Sequence, residues 1–169
     1  MNRYSRKKAP RRGHIAAIAP QGFNADDLML ATGPLDRAGF DVAVVSDTDG
    51  MLSARAGETD VNYVPASTIG DMDFDRYAGL ILPGGSSKIA DSAKAAVAVF
   101  LKAGKPVIAL SDGVGLLAEA ANAPDTAEAT AAISARGQVF AAGGETAAED
   151  AVQVFADAVL SAVTETRAA

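Results

Sequence analysis

Residues 104–121 read GKPVIALSDGVGLLAEAA, and the turn inside this stretch decides the fold. PVIAL (106–110) is an unbroken apolar run of strand length, as expected of a strand buried on both faces. Ser111-Asp112-Gly113 is a tight polar turn, and VGLLAEAA after it has the composition of a packed helix. Upstream, GLILPGG (79–85) is another buried strand, ending in a glycine pair, and an Ala-rich helix over 88–103 stops at Gly104. Earlier still, HIAAIA (14–19) and DVAVVS (41–46) are strands separated by a helix over 25–38, with Gly39 as its stop. Residues 47–72 are polar and irregular, with DVNYVPA (60–66) readable as an edge or hairpin strand. Residues 122–136 follow neither period. QVFAA (138–142) is a candidate last strand, and 146–164 reads as a closing amphipathic helix.

Strand and helix in this rhythm predict an α/β domain whose mainly parallel sheet is covered on both faces. Ligands of such sheets sit beyond the carboxyl ends of the strands, at the switch in strand order. That rule points to three loops: 20–24, 83–88 and 111–114.

Composition limits what those loops can do. A chain of 169 residues suits one domain, and 49% hydrophobic with 21% charged residues excludes global disorder. No apolar run approaches the ~20 residues of a bilayer-spanning helix, so the chain is expected to be soluble, cytoplasmic and without a membrane partner. Residues 1–12 hold six of the fifteen basic residues and no acid, leaving nine basic and twenty-one acidic residues in the rest. This charge distribution predicts a basic, disordered arm over 1–12, dispensable for folding, and a single acidic domain over 13–169. Phosphate contacts dominate nucleic-acid affinity, so that acidic body is expected to bind none.

There is no cysteine, which excludes disulfides, thiolate metal sites and cysteine nucleophiles. His14 is the sole histidine. Asp71, Asp73 and Asp75 alternate as in a calcium loop, but Arg76 stands at the turn glycine and Leu82 at the bidentate glutamate. GGSSK (84–88) lacks the spacing of a phosphate loop. No metal and no cofactor are expected.

Three ordered motifs resemble the ThiJ/PfpI family, within the class I glutamine-amidotransferase-like superfamily. IAPQGFNADDL (18–28) and LDRAGFDVAVVS (35–46) are similar to its first βαβ unit. YAGLILPGG (77–85) is similar to its FDALVLPGG, and GKPVIALSDGVGLLA (104–118) to its GKPVAAICHGPxLLA. The resemblance covers about 14–120 and implies a flavodoxin-like three-layer sandwich and a homodimer. It also implies a cysteine on the sharp turn, a histidine after it and a glutamate from the first loop. Carried over by position, these places fall on Ser111, Asp112 and Asn24. Gly84 and Gly85 match the pair that helps form the family's oxyanion hole. SDGVGLL also resembles the TGEGVDLL-like turn of the C-terminal domain of large-subunit catalases, which lacks the cysteine. The resemblance therefore implies an inactive accessory or stress-related binding domain, with association with a catalase, and a site made of Asn24, Gly84, Gly85, Ser111 and Asp112.

The rival reading is a weak hydrolase or lyase with Ser111 as nucleophile, since Ala109-Leu110-Ser111-Asp112-Gly113 is one residue from G-x-S-x-G. Serine needs a base. His14 opens the first strand whereas Ser111 follows the end of another, which puts them ~17–20 Å apart at ~3.3 Å per residue. The carboxylates Asp27 and Asp112 remain as alternatives. On the plainer reading, Ser111-Asp112 is the N-cap of the next helix.

Overall fold

Seven strands join in one sheet in the computed structural model of the chain, which describes residues 11–127, 129–142 and 147–168. In chain order the elements are β1 (Gly13–Ile18), α1 (Ala25–Ala38), β2 (Phe40–Ser46), β3 (Leu52–Ala56), β4 (Thr59–Tyr63), β5 (Ser67–Thr68), β6 (Tyr77–Leu82), α2 (Ala90–Lys102), β7 (Val107–Leu110), α3 (Gly113–Ala120), β8 (Ala131–Ala135), β9 (Gln138–Ala142) and α4 (Ala147–Ala168). The sheet order is β5-β2-β1-β6-β7-β8-β9. Pairings from β5 to β7 are parallel, and those of β7 with β8 and β8 with β9 are antiparallel. β3 and β4 form a separate antiparallel hairpin.

Successive side chains of a strand point to opposite faces, and here both faces are apolar. Ile15 and Ala17 of β1, Ile81 of β6 and Ile108 of β7 face α1 and α4, meeting Leu28, Leu35, Phe155 and Val159. Ala16, Ile18, Leu80, Leu82 and Val107 face α2 and α3, meeting Val97, Phe100 and Leu117. The result is the expected three-layer, mainly parallel sandwich. Gly39 ends α1 in a left-handed conformation, and its N–H closes back on Asp36 and Leu35.

Two segments carry more order than their composition implied. The polar stretch 47–72 contains the β3–β4 hairpin and β5, and the strand read at 60–66 is Thr59–Tyr63 within that hairpin. The ambiguous 122–136 contains β8, whose Ala131–Ser134 are buried between β7 and β9. No helix among the described residues is long and apolar enough to cross a membrane.

Residues 1–10 of the expected arm lie outside the described residues. Its last two residues are joined to the domain. The Arg12 N–H donates to the Gly39 carbonyl at 2.7 Å. The Arg11 guanidinium lies 2.8 Å from Asp36 and 3.5 Å from Asp41. The hydrogen bond to Asp36 holds the Arg11 pKa above its ordinary value. Among the described residues, contacts with the domain therefore already include Arg11, two residues before the boundary drawn from composition.

Candidate functional site

The three loops picked out by strand order meet at the carboxyl ends of β1, β6 and β7. The Asn24 N–H donates to the Gly84 carbonyl at 2.8 Å. A Cβ built on Gly84 would lie 3.1 Å from the Cβ atoms of both Asn24 and Ser111. Asn24, Gly84, Gly85, Ser111 and Asp112 are thus brought into one cluster, while His14 sits at the other end of β1, paired across from Tyr77.

Ser111 occupies the left-handed region with φ 52°. A non-glycine residue there is strained by roughly 1–2 kcal/mol, and such strain persists only where the surroundings fix it. Two neighbours do so. Ser111 N–H donates to the Thr130 carbonyl at 3.3 Å, and Val114 N–H donates to the Ser111 carbonyl at 3.3 Å. The sharp strand-to-helix elbow is therefore present, with the hydroxyl exposed at its tip.

Gly113 lets the elbow close. Its absent Cβ would fall 2.7 Å from the Leu82 carbonyl oxygen and 3.0 Å from the Leu82 Cβ, so α3 starts in direct backbone contact with the end of β6. Gly113→Ala must push α3 away from β6. The expected cost is ~2–3 kcal/mol, at the upper part of the range for overpacking because the obstacle is main chain. Urea unfolding measures it, and a loss under about 0.5 kcal/mol would show that the contact is not tight.

The carboxylates hold the remaining groups. The Ser111 hydroxyl donates to Asp27 Oδ2 at 2.9 Å, and the same oxygen accepts the Gly84 N–H at 2.8 Å. Asp112 Oδ1 accepts the Gly85 N–H at 2.6 Å, and its Oδ2 accepts the Ser87 hydroxyl. Both amides of the glycine pair are thus occupied from within the chain. At the rim, Lys88 Nζ donates to the Gln21 carbonyl at 3.4 Å, and the main-chain N–H of Arg55 donates to the Phe23 carbonyl at 2.9 Å while its guanidinium lies 3.4 Å from Asp60. A small open cleft of about 330 Å³ is bounded by Gly22, Asn24, Arg55, Gly84 and Gly85.

Two sequence assignments are corrected. Asn24 is not the acidic partner of the elbow. Its side chain caps α1, accepting from the Asp26 N–H at 3.0 Å and the Asp27 N–H at 3.4 Å, and the carboxylate against Ser111 comes from Asp27. The signal was in the sequence: Asn24 followed three residues later by an acid is a helix-start pattern, in which the first residue is used up as a cap. Nor does Ser111-Asp112 cap α3. Asp112 stands at the N-cap position, yet its side chain makes no capping hydrogen bond and reaches across to Gly85 and Ser87. Arg55 and Ser87 were missed, because Arg55 arrives on a hairpin whose docking no local pattern announces. Among the described residues no three His, Asp or Glu side chains are grouped to hold a metal ion.

A strained elbow after a parallel strand, a glycine pair opposite it and an acidic side chain from the first helix define a flavodoxin-like domain built around a nucleophile-type turn. The family model described as DJ-1/PfpI matches residues 14–168, and the chain belongs to the DJ-1/PfpI family. An uncharacterized protein of Archaeoglobus fulgidus is 33% identical over 110 residues, which cover 63% of this chain and 64% of that protein. Drosophila melanogaster DJ-1beta has a similar structure, with TM-score 0.65 at 15% identity over 92% of this chain and 96% of that one. A ThiJ/PfpI domain protein of Brachyspira murdochii gives TM-score 0.64 at 16% identity, covering 93% and 99% of the two chains. The chain also matches 32% of a two-domain Anabaena variabilis protein containing DJ-1/ThiJ/PfpI-like and ferritin-like domains, with TM-score 0.55 and 19% identity over 64% of this chain.

Proposed function

We propose that the chain is a non-catalytic member of the family, working as an accessory or stress-related binding domain of the kind attached to large-subunit catalases. One observation carries this reading: the Gly84 and Gly85 amides already donate to Asp27 and Asp112. Stabilising an oxyanion requires donors free to aim at the charge that develops in the transition state. Here both donors face carboxylates, and an anion arriving at Ser111 would be opposed by two like charges. The cysteine and histidine of the family pattern are replaced by Ser111 and Asp112. In the Anabaena variabilis protein a DJ-1/ThiJ/PfpI-like domain occurs in one chain with a ferritin-like domain.

The purified protein should show no glyoxalase, deglycase or peptidase turnover above background. A fluorophosphonate probe should leave Ser111 unlabelled. Turnover at an ordinary ~1–10³ s⁻¹ that vanishes in Ser111→Ala would overturn the reading.

The second reading, a weak hydrolase or lyase, rests on the 2.9 Å bond from Ser111 to Asp27. A carboxylate is a poor base for a serine hydroxyl, which is a weak nucleophile until a stronger base takes its proton. The same probe separates the two readings. On the family resemblance, the assembly is a cytoplasmic homodimer able to associate with a catalase. Sedimentation at micromolar concentration should give twice the chain mass, and a monomer would remove that claim.

A further inference from the structure

A second groove, of about 750 Å³, lies away from the elbow and runs between α1, the outer edge of β2 and the segment after β4. Its walls include Val42, Val44, Met29 and Val64, the last two exposed by 47% and 74%, and Asp36 and Asp41 lie on its rim.

The strand beside it is unfinished. β5 pairs only with Val45 and Ser46, so among the described residues no strand lies along the outer edge of Phe40–Ala43. The Val45 carbonyl accepts from Ala19 on the β1 side, and the Val44 carbonyl accepts from Ala66 on the other. Strand alternation then turns the Val42 peptide outward too, toward the groove. An open edge of this kind is a template for an added strand.

We propose that the occupant is the chain's own residues 1–10, laid along the outer edge of β2 with their cations toward the acidic rim. Three observations favour this segment. The chain passes the rim immediately before β1, since Arg11 is bonded to Asp36 and Asp41 and Arg12 to Gly39. Residues 1–10 carry Arg3, Arg6, Lys7 and Lys8 and no acid, leaving eleven basic against twenty-one acidic residues elsewhere. Ten extended residues reach ~33 Å, whereas the open edge of four or five residues needs only ~17 Å. Tethering at Arg11 makes the docking intramolecular, so it needs little affinity per contact.

The test uses the full chain. Trypsin cleavage after Arg6, Lys7 and Lys8 and amide exchange at Val42 are followed in the native protein and in an Asp36→Lys/Asp41→Lys variant. Docking populated in about nine molecules of ten predicts roughly tenfold faster cleavage and exchange in the variant, because both processes track the undocked fraction. Val64→Lys, on an exposed wall, gives the same readout should the double variant fail to fold. Rates unchanged by these substitutions overturn the proposal. So does protection that grows with protein concentration, which would assign the groove to the segment of a second copy.

Discussion

Phe155→Ala should lower the unfolding free energy by about 3–5 kcal/mol, the range for removing a fully buried aromatic ring. Phe155 is 0% exposed. It sits on α4, directly over Gly79 of β6, where a built Cβ would lie 3.0 Å from its ring and 3.1 Å from Val159. The ring thus fills the space that a side chain at 79 would take, and it belongs to the same apolar layer as Ile81, Ile108 and Leu28. Because the backbone of β6 forms the floor, the layer cannot collapse inward, and most of the cavity should persist. For a domain of this size each kcal/mol moves the melting temperature by ~2–4 °C, so a fall of about 10 °C is expected. Calorimetry tests this, and a fall under about 3 °C would mean that α4 repacks. The elbow depends on the same layer only indirectly, so the variant should keep its Ser111 environment at temperatures below the transition.

Ser111→Cys should yield a thiol with a pKa at or above the ordinary ~8.5, not an activated thiolate. The Ser111 hydroxyl already donates to Asp27, and a sulfur placed there would face that carboxylate and, nearby, Asp112. Like charges disfavour ionisation. The opposing influence is the start of α3, worth ~0.3–1 kcal/mol, less than the ~1.36 kcal/mol of one pKa unit. The Gly84 and Gly85 amides cannot help, since both are engaged by the carboxylates. Iodoacetamide alkylation against pH reads the titration without background, because the chain has no other cysteine. At pH 6.5 the reactive fraction should be about fiftyfold below that of a thiol half-ionised at that pH, about 1% ionised against half. A midpoint below ~6.5 would show that the pocket still activates a thiolate. A nucleophilic role for Ser111 would then be reopened.

Local sequence was enough for the sheet's central strands. HIAAIA, GLILPGG and PVIAL are buried on both faces in β1, β6 and β7, and α1 runs over Ala25–Ala38 as its spacing and Gly39 required. These elements carry their own evidence, because a strand with two covered faces must be apolar throughout. β8 and the β3–β4 hairpin do not. Ala131–Ala135 (AAISA) is a short run with only one large apolar residue, Ile133, and no period of its own, and it becomes a strand because β7 presents an open edge to pair with. The hairpin is largely polar and is held by main-chain bonds, Gly22 N–H to Ser53 and Arg55 N–H to Phe23. Tertiary context overrides propensity at such places.

By itself the sequence determined that no cysteine or second histidine exists to do chemistry, that the turn at 111–113 is sharp, and that Gly84-Gly85 stands in the loop after β6. Only the tertiary structure decided where the acids go. Asp27 lies 84 residues from Ser111 along the chain and Asp112 lies 27 residues from Gly85, yet each pair is in hydrogen-bond contact. A carboxylate is an acceptor only, with no preferred sequence neighbour, so its partner is whichever donor the fold brings within ~3 Å. The fold brings the elbow's hydroxyl and both glycine amides.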